Sequence, residues 1–369
     1  MRYSLLSRFR GALLGTAMGE IWGAYGESWQ LGQPQSIPPY GSGRLVVKGT
    51  EGLIRRGKLD LADWQESAGE NSGEASVNPG KSPGRRRKDK TKSASKSDQE
   101  DGERGRLGRG SSENVPVSSY PASERHRVPV PGGPLQSVKG YGAIISAVPV
   151  ALFFHEDEAK LRQNLQQVAD VWQDDSVLKD GTLAIGYAIA SALKEKLNRD
   201  TLIPQTISYL DAETPLVTQL RQVQTLLEQG APKEMALNKL IPRQTAPPPN
   251  FPVALAFYCF LSTIEDLRLS VLRAARCPQA QVTCAIAGAI SGAYNSVAGI
   301  PPAWRLALEQ QKGDTSPLAT LWGINSEAEL LRLAARLLAT WSGVYDAEKF
   351  LIDPSQVFAV GAPQTIKPR

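Results

Sequence analysis

A carboxyl group inside a glycine-rich run is the first residue of this chain that could do chemistry. Glu20 lies in FRGALLGTAMGEIWGAYGE, residues 9–27. It could act as a general base or a ligand, although a helix residue lining a polar cleft is the commoner role. A second carboxyl group would let it work as half of an acid/base pair, and Asp174 or Asp175 could supply it. The other place of interest is the start of the small-residue run 276–304, RCPQAQVTCAIAGAISGAYNSVAGIPPAW. Free N–H groups gather at a helix N-terminus, so the turn 279–283 could meet a phosphate. Cys277 lies beside that turn. No histidine is near it in sequence to activate it, and a lone thiol is more often structural.

The scarce residue types exclude more than they suggest. There are two histidines, His126 and His155, which weighs against histidine metal sites and against Ser/His or Cys/His nucleophiles. Three cysteines, Cys259, Cys277 and Cys284, have neither the number nor the spacing of a disulfide framework or a zinc site, and read as small buried thiols. Trp22, Tyr25 and Trp29 could stack on a nucleotide base, but such residues more often pack a core.

The net charge of +5 is concentrated in one place. Residues 65–133 hold 13 Lys/Arg against 10 Asp/Glu, which leaves the rest of the chain nearly neutral. The high pI is therefore no argument for a nucleic-acid-binding surface. Residues 65–133 are Ser, Gly, Lys, Arg, Glu and Pro with almost no large apolar side chain, and are expected to be a disordered, charged, low-complexity insertion. Its basic run 85–92 could engage a protein or another acidic partner, though a solvated loop is the commoner outcome. No apolar stretch is long enough to span a bilayer; the best, 141–154, is too short. The expectation is a cytoplasmic protein with no membrane partner.

The elements that must position these residues are helices. Leu5, Phe9, Leu13, Ala17 and Ile21 recur at helical spacing in 4–25. Gly11, Gly15, Gly19 and Gly23 form a smooth stripe beside them, expected to meet another helix or a ligand at close range. Further helices are expected at 45–56, from Asp60 as N-cap, and at 158–171, 182–197, 216–230, 232–240, 253–262, 264–276 and 326–343. Another is expected after KGYGAIISAVPVALFF, with Pro149 near its first turn. The fold class is all-α, with ten to twelve helices. Residues 1–64 and 134–369 read as one discontinuous domain, interrupted by 65–133.

Several of these segments together resemble the ADP-ribosylglycohydrolase family, all-α enzymes that use paired magnesium ions to cleave ADP-ribose from protein side chains. The glycine-rich run 9–27, LIRRGKLDLADWQ, GYGAIISAVPVALFFHED and the run from Phe251 to Trp304 carry the resemblance. It implies an ADP-ribosylglycohydrolase-like fold and a magnesium site. The residues that should bind the metal depart from the pattern. The family's Thr-Asp-Asp-Thr falls near Tyr40–Gly43, which reads Tyr-Gly-Ser-Gly, and no Asp or Glu occurs between Glu27 and Glu51. The carboxylates of its Gly-Gly-Asp-x-Asp-Thr motif fall on Gln279 and Gln281, with Val282 in place of Thr. In the middle motif, Tyr141 precedes Gly142 where the family has Asn-Gly, and Ser146 replaces Arg. Glu20 stands where the family has an Asp. No histidine follows His155, so the Thr-His element is missing too.

Amide oxygens carry no formal charge, so this set should hold Mg²⁺ very poorly and no cofactor is expected. The resemblance thus implies a pseudoenzyme whose degenerate cleft (Gln279, Gln281, Val282, Tyr141, Gly142, Ser146) keeps the binding of a partner or an ADP-ribose-like molecule. The alternative is an active hydrolase of ADP-ribose-type N-glycosidic bonds, with Glu20 as a rearranged catalytic residue.

Overall fold

A computed structural model describes residues 3–31, 41–62, 64–65, 134–171, 176–210, 212–241, 250–311 and 316–343. All of the expected insertion 65–133 except Gln65 lies outside these residues, as do Asp174 and Asp175. The described residues are helical, with no strand among them. The all-α expectation is met.

The elements are α1 (Leu5–Tyr25), a 3-10 turn (Gly26–Leu31), α2 (Gly43–Arg56), α3 (Pro134–Phe154), α4 (Glu158–Asp170), α5 (Ser176–Leu193), α6 (Leu202–Leu210) and α7 (Pro215–Glu228). After them come α8 (Lys233–Leu240), α9 (Phe251–Leu261), α10 (Leu267–Ala274), α11 (Ala280–Asn295), α12 (Pro302–Gln310), α13 (Pro317–Trp322) and α14 (Glu327–Ser342). Many start on the side chain that local chemistry asks for. Ser4 accepts from Ser7 N–H at 3.2 Å, Asp157 from Lys160 N–H at 3.0 Å and Asp266 from Leu269 N–H at 2.8 Å.

The glycine stripe of α1 finds its purpose in α11. The two helices run antiparallel and form the most extensive helix pair in the described chain. A Cβ at Gly15 would lie far inside van der Waals contact of the Gly288 carbonyl oxygen, and one at Gly288 would strike the Gly15 carbonyl. The same holds for Gly11 against Gly292, Gly19 against Cys284 and Gly23 against Ala280. Backbone meets backbone along the whole seam, which is why α1 tolerates glycines that weaken an isolated helix. On its other faces α11 packs against α3, α5, α9 and α10, and nearly all its residues are buried.

Two local expectations are corrected. Pro149 sits well inside α3, not near its first turn. An internal proline loses a backbone hydrogen bond and costs about 3 kcal/mol. Ile145, Val148, Val150, Leu152 and Phe153 around it are buried, and that packing offsets the cost. Helices α6, α12 and α13 were not expected. They are short, and α12 and α13 begin at prolines that read as breakers yet occupy the first helical turn.

Candidate functional site

The C-terminal half of α1 carries Glu20 to the N-termini of α2 and α11. The side chain is fully buried. Its Oε1 accepts from the Ser42 amide at 2.7 Å, from the Ser42 hydroxyl at 2.8 Å and from Gln281 Nε2 at 3.2 Å. Oε2 has no hydrogen-bond partner. The Trp322 indole is close enough to favour the charged carboxylate but makes no hydrogen bond of normal geometry. Burial pushes the Glu20 carboxyl above the ordinary 4.5, and the bonds from Ser42 and Gln281 pull it back only in part.

Ser42 is the N-cap residue of α2, yet its hydroxyl makes no bond to its own helix. Its amide, one of the donors a helix start leaves open, is satisfied by Glu20 instead. The turn holding it lies flat against α13: a Cβ at Gly43 would collide with the Trp322 ring, and one at Gly41 with the Leu321 backbone.

Gln279 opens α11 in the left-handed region, φ 53° and ψ 43°. A non-glycine residue held there costs about 1–2 kcal/mol. Its carbonyl accepts from the Thr283 amide at 3.2 Å and the Thr283 hydroxyl at 3.1 Å. Its side-chain Oε1 is buried with no partner. Val282 is buried one turn away.

The structure therefore brings Glu20, Gln281 and Ser42 into direct contact, with Gln279 one turn edge away. It does not bring Ser146 to them by any bond: that hydroxyl donates to the Gly142 carbonyl of its own helix at 2.7 Å. Tyr141 is half-buried and packs on the core. Trp22 meets Trp304 at 4.9 Å with the ring planes tilted by 43°, and Trp29 edge-on at 6.0 Å, so two of the three aromatics raised for base stacking are spent on packing. Tyr25 is half-buried, its phenol pushed up by burial and by Glu20. Ser42 and Trp322 were not singled out from sequence. The available signal for Ser42 was its place just before the amphipathic α2 pattern, an N-cap position.

The donor set can be tested against the magnesium pair that such a fold implies. Mg²⁺ demands near-octahedral oxygen donors, usually carboxylates. Here one carboxylate is present, its Oε1 already holds three donors, and the remaining oxygens are amide or hydroxyl. Among the described residues no group of three or more His, Cys, Asp or Glu is placed to hold a metal. The undescribed stretch 32–40 contains no carboxylate. The residues do not fit a pair of magnesium ions.

The ADP-ribosylglycohydrolase family model matches residues 1–346. A solved structure described as an ADP-ribosylglycohydrolase-related protein complex superposes with a TM-score of 0.52 at 16% identity, covering 91% of this chain and 98% of that one. At that identity the likeness speaks for the fold. A search of curated proteins returns no match. No described helix is long and apolar enough to cross a membrane.

Proposed function

The chain belongs to the ADP-ribosylglycohydrolase family, and from that premise we propose that it keeps the scaffold and cleft without the magnesium-dependent hydrolysis. The observation that carries this reading is the direct bonding of Glu20 to Ser42 and Gln281. These groups stand where the family resemblance puts metal ligands, and they bond to one another through Glu20 Oε1. Hydrogen bonds between α1, α2 and α11 hold together what metal ions would otherwise bridge.

The ligand proposed for the cleft is an ADP-ribose-like nucleotide. Open N–H groups at the start of α11 suit a phosphate, and Gln279 Oε1 is an acceptor without a partner. Calorimetry with ADP-ribose, with and without Mg²⁺, tests it. Equal heats in both conditions are expected. Binding that requires Mg²⁺ would overturn the metal-free reading, and no heat in either would remove the nucleotide.

One observation favours a second reading, an active hydrolase with rearranged groups. Glu20 has a raised pKa and an unpartnered Oε2, as a general acid would. Turnover that survives Glu20→Gln would remove it.

A further inference from the structure

The end of α1 away from Glu20 borders a cavity of about 330 Å³. Arg8 lines it, and the helix carries Glu20 roughly 18 Å further along its axis, so this cavity is separate from the cleft. Arg8 is 4% exposed and ties the cavity together. Its Nη1 donates to the Ala192 carbonyl near the end of α5, and its Nη2 donates to Glu195 Oε1 at 2.7 Å. Its Nε is buried with no partner. Glu195 holds a left-handed backbone, φ 57°, a conformation non-glycine residues keep where the surroundings demand it. The next two amides, of Lys196 and Leu197, donate to the Ser191 carbonyl at 2.9 Å and 3.2 Å, which closes the turn after α5. That built turn brings Lys194 and Lys196 to the cavity.

The charges do not cancel. Arg8 and Glu195 neutralise each other as an ion pair. Two ammonium groups then face one further carboxylate, the exposed Glu156. Neither Lys194 nor Lys196 makes a side-chain hydrogen bond or ion pair among the described residues. Lys194 is half-buried, and burial first, then Lys196, holds its ammonium below the ordinary 10.5, although Glu158 and Glu156 act the other way. A cation partly stripped of water with no counter-ion in contact favours an anion beside it. The first turn of α1, which also borders the cavity, carries no acidic residue to offset its partial positive charge. The remaining lining is apolar: Leu5, Leu193 and the His155 imidazole, which burial keeps neutral.

We propose that this cavity binds a small organic anion, its carboxylate or phosphate head held by Lys194 and Lys196 and its apolar body laid against Leu5, Leu193 and His155. The volume is at the low end for ligand pockets, which suits a molecule of about one ring. Arg8 does not hold the head; it fixes the turn from which the two lysines project.

The test is labelling of the full chain with pyridoxal 5′-phosphate, which joins a phosphate head, one ring and an aldehyde. A lysine amine condenses with the aldehyde and releases water, and borohydride then reduces the imine to a stable secondary amine that peptide mass mapping locates. Lys194 or Lys196 should be labelled roughly tenfold faster than any other lysine, the signature of binding before reaction. Phenyl phosphate or benzoate should slow that labelling more than inorganic phosphate does, and the better of the two identifies the head. Replacing the unlabelled member of the pair with Met should slow labelling of the other, whereas Glu156→Gln, which removes an opposing carboxylate, should speed it. Even labelling across the lysines, labelling that neither organic probe slows, or inorganic phosphate protecting as strongly would each overturn the proposal. So would variants that leave the labelling rate unchanged.

Discussion

Glu20 Oε1 lies 2.7 Å from the amide nitrogen of Ser42, so a carboxylate on α1 serves the N-terminus of α2, a helix it does not belong to. The Ser42 hydroxyl and the Gln281 amide share the same oxygen. Glu20→Ala leaves these part-buried donors without their acceptor, at about 1–3 kcal/mol for each one that water does not reach. Urea unfolding at neutral pH should show a loss of about 2 kcal/mol or more. Glu20→Gln, which keeps an oxygen in place, should lose much less. Equal losses in both variants would show that charge, not hydrogen bonding, is what α2 needs.

The same carboxyl sets a pH dependence. Its folded pKa is raised above the ordinary 4.5. Between those two values the folded chain binds more protons than the unfolded one, so stability falls as pH rises through that window. Glu20→Gln should remove this decline. The stability difference between variant and parent should therefore grow in the variant's favour from about pH 4.5 upward, as read by urea titrations at several pH values. A difference independent of pH would contradict the buried-carboxyl account.

His155 works in the opposite direction. It is buried between Phe9, edge-on at 5.8 Å, and Trp341 at 4.8 Å, with Nδ1 2.9 Å from the Leu152 carbonyl. Burial lowers its pKa from 6.5 to about 4. Its contribution is complete above the unfolded value and is lost as pH falls from 6.5 towards 4, by up to about 3 kcal/mol. His155→Gln should flatten that limb of the profile. NMR titration of the parent should find this imidazole still neutral at pH 5.5, roughly midway between the two values; a normal titration would contradict the prediction.

The seam between α1 and α11 gives a steric prediction. Gly15→Ala adds a methyl against the Gly288 backbone, which cannot rotate away as a side chain could. Alanine's better helix propensity returns about 1 kcal/mol, and overpacking costs about 1–3 kcal/mol or more. A net loss is expected for Gly15→Ala and Gly288→Ala alike, measured by thermal unfolding. The two losses should not add in the double variant, because both push the same backbones apart.

Much of this was legible in the sequence. The four-residue spacing of Gly11, Gly15, Gly19 and Gly23 announced a close approach, and the small residues of 285–293 announced another. That the two stripes face each other depends on tertiary packing, which local pattern does not encode. Glu20 was visible as a carboxyl in the right helix, but its partner Ser42 was not: local reading assigns such a serine to its own helix start, and the bond reaches back 22 residues. Pro149 was misplaced because proline's intrinsic preference was overridden by the burial of residues 144–154 around it in α3.

The central claim is that hydrogen bonds replace metal at the start of α11. The most direct measurement is release of ADP-ribose from an ADP-ribosylated protein, with Mg²⁺ present and again with a chelator. No release above the protein-free control is predicted in either condition. Release in Mg²⁺ that the chelator abolishes would contradict the account.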